Sequence, residues 1–118
     1  MPLLHLEYSA NIPDKNIDFQ NIFKQLHDNL SASDFCNIEV IKSRITKHDN
    51  YYIACGSPNK FFITLSVAVL SGRALAVLEH KGKVLLEILK DSFPKTHALG
   101  SKGITIEIRE INKDLYFL

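Results

Sequence analysis

The sequence has no long hydrophobic run and almost no excess of either charge. Its uninterrupted apolar stretches are far too short to cross a bilayer, and the N-terminus lacks the basic and apolar regions of a signal peptide. Lys plus Arg number 14 and Asp plus Glu number 13, which gives a net charge of +1. Phosphate-binding surfaces are usually clearly basic. We therefore expect a cytoplasmic protein with neither a membrane nor a nucleic acid as its partner.

Cysteine is also scarce, and the two cysteines, Cys36 and Cys55, are isolated from each other. The sequence contains no Cys-x-x-Cys pair and no Cys/His spacing typical of a metal site. The five histidines are scattered in the same way, so the sequence predicts no metal site. We interpret the cysteines as two buried thiols in a reducing compartment.

What the sequence does contain is one pattern that occurs twice. Alternating or continuous apolar residues predict strands, and apolar residues at helical spacing predict helices. The first half consists of a strand at 3–8, a helix at 19–30 with Asp18 as its N-cap, and a strand at 38–45. The second half consists of a strand at 61–70, a helix at 74–93 and a strand at 104–109. Short segments at 51–53 and 114–118 are further candidate strands.

This βαβ–βαβ order predicts one domain over residues 1–118, with a pseudo-repeat of 1–56 and 57–118. A crossover helix makes the two strands of each half parallel. We expect an α+β, two-layer fold in which a four-stranded mixed sheet carries two helices on one face. The strand at 61–70 is apolar at nearly every position, as in a strand buried on both faces. Other copies of the chain would therefore cover the second face of the sheet.

Pro2, directly after Met1, is the residue that most specifically indicates a chemical role. Met1 is normally removed before a small residue, which would leave Pro2 with a free secondary amine. An α-amino group has a pKa of about 7.7–8.0, and burial or nearby cations lower it further. A neutral amine of this kind is a competent general base. The alternative is that proline simply begins a strand, where no backbone N–H is needed.

Three basic residues are candidates for binding an anion. Lys42 and Arg44 are two residues apart on a predicted strand and so share a face. Arg73 lies where a strand gives way to a helix, whose first N–H groups are free to contact an anion. The alternatives are a solvated strand end for Lys42 and Arg44 and a helix-flanking surface position for Arg73.

Several short motifs, in this order and spacing, resemble the 5-carboxymethyl-2-hydroxymuconate isomerases of the tautomerase superfamily. They are the opening segment 1–12, the strand around Lys42-Ser43-Arg44, the segment 62–65 with Ser71-Gly72-Arg73 after it, and the strand 104–111. Together they cover nearly the whole chain. The family usually has arginine at the position of Lys42, and lysine offers a point charge in place of a planar fork of donors.

The resemblance implies a homotrimer of βαβ–βαβ subunits with active sites near the subunit boundaries. It implies that Pro2 is a general base that moves a proton from the enol oxygen to carbon, without a cofactor. Arg73, Arg44 and Lys42 would hold substrate carboxylates and stabilise negative charge on the oxygen. The implied function is an isomerase of aromatic acid catabolism that acts on 5-carboxymethyl-2-hydroxymuconate or a similar unsaturated 2-hydroxy polycarboxylic acid. The alternative is a non-catalytic homotrimer that keeps the fold and binds a partner or ligand.

Overall fold

Strands and helices follow one another along the chain in two βαβ halves. A computed structural model describes residues 1–118, apart from the side chain of Ser101. The elements are β1 (Leu3–Ser9), α1 (Phe19–Leu30), β2 (Lys42–His48), β3 (Ile63–Leu70), α2 (Leu75–Ser92), α3 (Pro94–Ala98) and β4 (Ile104–Ile111). None of the helices in the described residues is long and apolar enough to cross a membrane.

The strands form one four-stranded mixed sheet in the order β2-β1-β3-β4. β1 and β2 are parallel, β3 and β4 are parallel, and the central pair of β1 and β3 is antiparallel. Each half is therefore a βαβ unit, and the two units meet along the central pair. The predicted α+β fold with a mixed sheet is confirmed.

One face of this sheet packs against the helices and forms the core. Leu4 and Leu6 of β1 are fully buried and pair in register with Val67 and Leu65 of β3. The helices contribute Ile22, Leu26 and Leu30 from α1 and Leu78, Leu85 and Leu89 from α2. Burying one such side chain stabilises the fold by about 1.5–3 kcal/mol relative to leaving it exposed. The alternation of β1 and the helical stripes thus place both helices on the same face.

Two local features fix the helices. The side chain of Asp18 accepts a hydrogen bond from the Asn21 main-chain N–H at 3.1 Å, which confirms the predicted N-cap of α1. Inside α2, a Cβ on Gly82 would lie 3.3 Å from Ile108 Cδ1 of β4. The close approach of helix and sheet explains a glycine that costs about 1 kcal/mol relative to alanine within a helix.

The second strand begins later than predicted. Residues Ile38–Val40 form a turn of 3-10 helix, and β2 starts at Lys42. The side chain of Asn37 caps this turn by accepting a hydrogen bond from the Glu39 N–H at 3.0 Å. A side chain that bonds its own backbone competes with strand pairing, so the predicted strand at 38–45 is wrong for its first four residues.

The two additional candidate strands are also wrong. Residues 51–53 pair with no strand, and the Ile53 carbonyl instead accepts a hydrogen bond from the Gly56 N–H in a turn. In the segment 114–118, Lys113–Leu115 is a 3-10 turn, because the Asn112 side chain accepts the Asp114 N–H at 3.0 Å. Both segments are turns whose hydrogen bonds are made locally.

The uncovered face of the sheet carries several polar side chains. Along β3, buried aliphatic residues alternate with partly buried ones that include Thr64 and Ser66. On β1, Glu7 contacts the neighbouring His48 Nε2 at 3.0 Å and His5 Nδ1 at 3.8 Å. The second face of β3 is thus only partly buried in the single chain, as expected of a face without its own layer of helices, and its coverage by other copies of the chain stays a prediction.

A buried carboxylate closes the end of the sheet where β1 finishes. Asp14 is 6% exposed and accepts hydrogen bonds from the Thr96 N–H at 2.7 Å, the Thr96 hydroxyl at 2.6 Å and the Lys95 N–H at 3.2 Å. These bonds join the loop after β1 to the first turn of α3. We call this contact the Asp14–Thr96 clasp. Hydrogen bonds to a charged acceptor are stronger than those between neutral groups.

Replacing Asp14 by alanine should lower the free energy of unfolding by about 2–4 kcal/mol, because buried donors of Thr96 then lose their acceptor. Asp91→Ala, at an exposed carboxylate of α2, is the matched control and should change it by less than about 0.5 kcal/mol. Urea unfolding followed by circular dichroism, at one protein concentration, measures both. Equal losses in the two variants would show that the clasp has no special role.

Candidate active site

Pro2 lies at the end of the sheet where β1 and β2 begin and β3 ends. It is buried, and its carbonyl accepts a hydrogen bond from the Lys42 N–H at 3.3 Å. Leu3 lies opposite Ala68 in the antiparallel pair. Pro2, one residue earlier, therefore lies beside the last residues of β3. The segment that follows β3, which carries Arg73, is therefore brought to this end of the sheet.

The Arg73 side chain is fixed by two carbonyls and a ring. Gly72 has a φ of 118°, which favours glycine, and it turns the chain between β3 and α2. Arg73 Nη1 then donates to the Leu70 carbonyl at 3.2 Å, and Nη2 donates to the Phe35 carbonyl at 2.7 Å. The guanidinium lies over the Phe35 ring, with Cζ 4.2 Å from its centroid. Arg73 thus ties the end of β3 to the linker between α1 and β2.

A second cation, Lys81 of α2, reaches the same ring. Its Nζ lies 5.3 Å from the Phe35 centroid and donates to the Asn29 carbonyl at 2.7 Å. Asn29 belongs to the last turn of α1, where main-chain carbonyls lack a partner inside the helix. A cation is also favoured there by the helix dipole. Phe35 is therefore contacted by two side-chain cations.

The thiol of Cys36 lies near the same charges. Burial raises the pKa of the Cys36 thiol, while Arg73, the N-terminal amine and Lys81 act, in that order, to lower it. The thiol donates to the Leu30 carbonyl, with Sγ 3.3 Å from the oxygen. The amine of Met1 and both side-chain cations therefore lie near one sulfur atom. We call this group of residues the N-terminal cluster: Pro2, Phe35, Cys36, Arg73 and Lys81.

The cations of the N-terminal cluster have no carboxylate partner among the described side chains. Among the side chains that the structure describes, the ion pairs of Asp and Glu involve Lys24, Lys47, Lys90, Arg109, His5 and His48, and none involves Arg73 or Lys81. A partly buried site with excess positive charge favours an anionic ligand such as a carboxylate. In the same described residues, no group of three His, Cys, Asp or Glu side chains is placed to hold a metal ion.

The other two candidate cations, Lys42 and Arg44, emerge on the opposite face of the sheet. They pair in register with Leu3 and His5, which lie on the uncovered face, whereas Leu4 points into the core. Both are exposed, and no ion pair with Asp or Glu is found for either in the described part of the chain. Within one chain, the sheet therefore separates these side chains from Arg73.

Sequence reasoning missed two members of the cluster and misjudged the cysteines. Cys55 is exposed and Cys36 is only partly buried, so the prediction of two buried thiols is wrong. Cys55 lies in the turn closed by the Ile53 carbonyl, outside any packed element. Phe35 lies in a linker with no regular pattern. Lys81 is visible in the sequence, but its contact with α1 depends on how two helices cross, which no local pattern determines.

Solved structures share this fold. The crystal structure of a 5-carboxymethyl-2-hydroxymuconate isomerase from Deinococcus radiodurans R1 matches with a TM-score of 0.88 and 25% identity, over 99% of this chain and 87% of that one. A fused 4-OT, solved as a symmetric trimer, matches with a TM-score of 0.77 and 16% identity, over 99% and 91%. The second likeness concerns the fold alone. The class of protein is thereby defined as the tautomerase superfamily.

Sequence comparisons narrow this class to one family. A model of the 5-carboxymethyl-2-hydroxymuconate isomerase family matches residues 2–117. The 5-carboxymethyl-2-hydroxymuconate Delta-isomerase of Escherichia coli is 25% identical over 117 residues, which are 99% of this chain and 92% of that relative. The chain belongs to the 5-carboxymethyl-2-hydroxymuconate isomerase family and is an isomerase, as the resemblance predicted.

Cys36 should be alkylated severalfold more slowly than Cys55 in the folded protein. The thiolate is the reactive form, and burial raises the pKa of Cys36 and partly covers its sulfur, whereas Cys55 is exposed. Timed reaction with iodoacetamide at mildly alkaline pH, followed by peptide mass mapping, measures both rates. In urea-unfolded protein, the control, the rates should become similar. Similar rates in the folded protein would contradict the placement of Cys36.

Proposed function

We propose that this isomerase converts 5-carboxymethyl-2-hydroxymuconate, or a similar unsaturated 2-hydroxy polycarboxylic acid, to its keto isomer in aromatic acid catabolism, without a cofactor. The observation that carries the proposal is that Arg73 and Lys81 both contact the ring of Phe35, at the end of the sheet where the chain begins. The names of the relatives supply the substrate class. A positively charged, partly buried site suits a substrate with several carboxylates.

In this proposal Pro2 is the general base. Its nitrogen is a secondary amine once Met1 has been removed, and the neighbouring cations disfavour a further positive charge on it. The neutral amine accepts the proton of the enol hydroxyl. The O–H electron pair forms the carbonyl, and the displaced C=C pair passes to carbon, which takes the same proton from the prolyl ammonium. One group thus removes and returns the proton, and no second acid is required.

Arg73 is proposed to bind a substrate carboxylate and to stabilise charge on the enol oxygen. Two of its N–H groups bond the carbonyls of Leu70 and Phe35. A guanidinium has five N–H donors, so three remain for a ligand. Because the side chain is already held in place, it stabilises developing charge without reorganising during the reaction.

Lys42 and Arg44 are proposed to bind substrate carboxylates across a subunit boundary. They are exposed on the uncovered face, and a ligand at the N-terminal cluster of the same chain lies on the other side of the sheet. To reach a ligand, this face must lie beside the cluster of a neighbouring subunit. We therefore propose a homotrimer, in which each head-to-tail contact completes one site. The fused 4-OT relative, solved as a symmetric trimer, supports this arrangement.

Pro2→Ala should lower the rate of ketonisation of 5-carboxymethyl-2-hydroxymuconate by about 10²-fold or more, because the primary amine differs in basicity and placement. Arg73→Ala should lower kcat/KM while the protein stays folded. The assay follows ultraviolet absorbance, using untagged protein whose intact mass confirms the loss of Met1. Lys24→Ala, at an exposed lysine of α1, is the matched control and should leave the rate unchanged.

The outcomes separate the proposed function from its alternative. Full activity in Pro2→Ala would show that the reaction does not require the secondary amine of proline. No turnover by wild-type protein with a confirmed free Pro2 would contradict this substrate class and favour a non-catalytic trimer. Loss of assembly in either variant would show that a structural residue had been taken for a functional one.

The native mass should be three times the 13.4 kDa of one chain, as measured by light scattering. Mixing Arg44→Ala with Arg73→Ala, after co-refolding, should give a kcat/KM above that of either variant alone. A mixed trimer contains boundaries with an intact Arg73 on one side and an intact Arg44 on the other. If the two residues served the site of a single subunit, no mixture would recover activity, and the arrangement across a boundary would be wrong.

A further inference from the structure

Lys81 is a cation to which the proposed proton transfer gives no role. It is partly buried, whereas Lys83, two residues further along α2, is exposed. Its Nζ contacts the Phe35 ring and the Asn29 carbonyl, and among the described side chains no carboxylate pairs with it. A charged side chain held inward without a counter-charge points to an anionic ligand.

We propose that Lys81 binds a carboxylate of the substrate that is remote from the enol, and so selects polycarboxylates over monocarboxylates. This inference rests on the proposed function, in which Pro2 and Arg73 act at the enol end. Arg73 and Lys81 contact one aromatic ring, at 4.2 Å and 5.3 Å from its centroid. Two separate cationic centres at one ring suit a ligand that carries more than one carboxylate.

Lys81 retains the donors that this role needs. An ammonium group has three N–H donors, and the Asn29 carbonyl uses one of them. That bond and the contact with Phe35 hold the ammonium in place before any ligand arrives. A charge-assisted hydrogen bond to a carboxylate is roughly twice as strong as a bond between neutral groups.

A purely structural role for Lys81 predicts a different result. Its bond to the Asn29 carbonyl caps α1, so loss of the ammonium would lower thermal stability whether or not the substrate contacts it. Loss of a helix cap, however, would change KM to the same extent for all substrates. The test must therefore compare a polycarboxylate substrate with one that lacks the remote carboxylates.

The variants Lys81→Met and Lys81→Arg separate charge from packing, since the first keeps an apolar stem and the second keeps the charge. Lys83→Met is the matched control. For 5-carboxymethyl-2-hydroxymuconate, Lys81→Met should raise KM about tenfold or more, with Lys81→Arg and Lys83→Met near wild type. For 2-hydroxypenta-2,4-dienoate, whose carboxylate adjoins the enol, KM should change less than about twofold. Equal effects on both substrates, or a change only in melting temperature, would overturn the proposal.

A binding measurement keeps the two proposals distinguishable. Calorimetry with propane-1,2,3-tricarboxylate and with butyrate needs no turnover. Lys81→Met should weaken binding of the tricarboxylate about tenfold and leave binding of butyrate unchanged. If wild type turns over neither substrate but this difference is found, the proposed function fails, while the proposal that Lys81 binds a carboxylate is supported. If wild type does not bind the tricarboxylate, or Lys81→Met binds it equally well, the proposed role of Lys81 is wrong even where turnover is normal.

Discussion

The antiparallel pairing of β1 with β3 is the contact on which the rest of the structure depends. It joins the two βαβ halves along the centre of the sheet and buries Leu4 and Leu6 beside Val67 and Leu65. Because the two strands run in opposite directions, the beginning of the chain lies beside the end of β3. The N-terminus and the turn after β3 are thereby neighbours, and the linker after α1 completes the same corner of the molecule.

At this corner Arg73 and Lys81 form no ion pair with any carboxylate that the structure describes. Arg73 and Lys81 are held by main-chain carbonyls and by the ring of Phe35. Like charges that are partly withdrawn from water repel one another, and this repulsion is unfavourable for the folded chain alone. A polyanion bound there, as proposed, would replace this repulsion by attraction. The site would then lose some stability in the free protein and gain affinity for a ligand of opposite charge.

The sheet and its helices could be predicted from sequence because apolar residues recur in β1, α1 and α2 with the period of a strand or a helix, and these residues form the buried face. Pro2 and Arg73 could be identified as candidates for a similar reason, since a strand start and a strand–helix turn are local features. Ile38–Val40 could not be predicted, because side-chain bonds to the backbone competed with strand pairing at an apolar segment. Lys81 could not be assigned to the site either, since its neighbours come from α1 and the following linker and depend on how the helices cross.

The Asp14–Thr96 clasp lies at the end of the sheet opposite the N-terminal cluster and joins segments 82 residues apart. Closing so long a loop costs conformational entropy before the contact is made, so the clasp forms after most of the intervening chain is ordered. Contacts absent from the transition state for folding act chiefly on the rate of unfolding. We therefore expect the clasp to act more on the rate of unfolding than on the rate of folding. On this expectation, the time for which the site stays folded depends on a carboxylate that takes no part in its proposed chemistry.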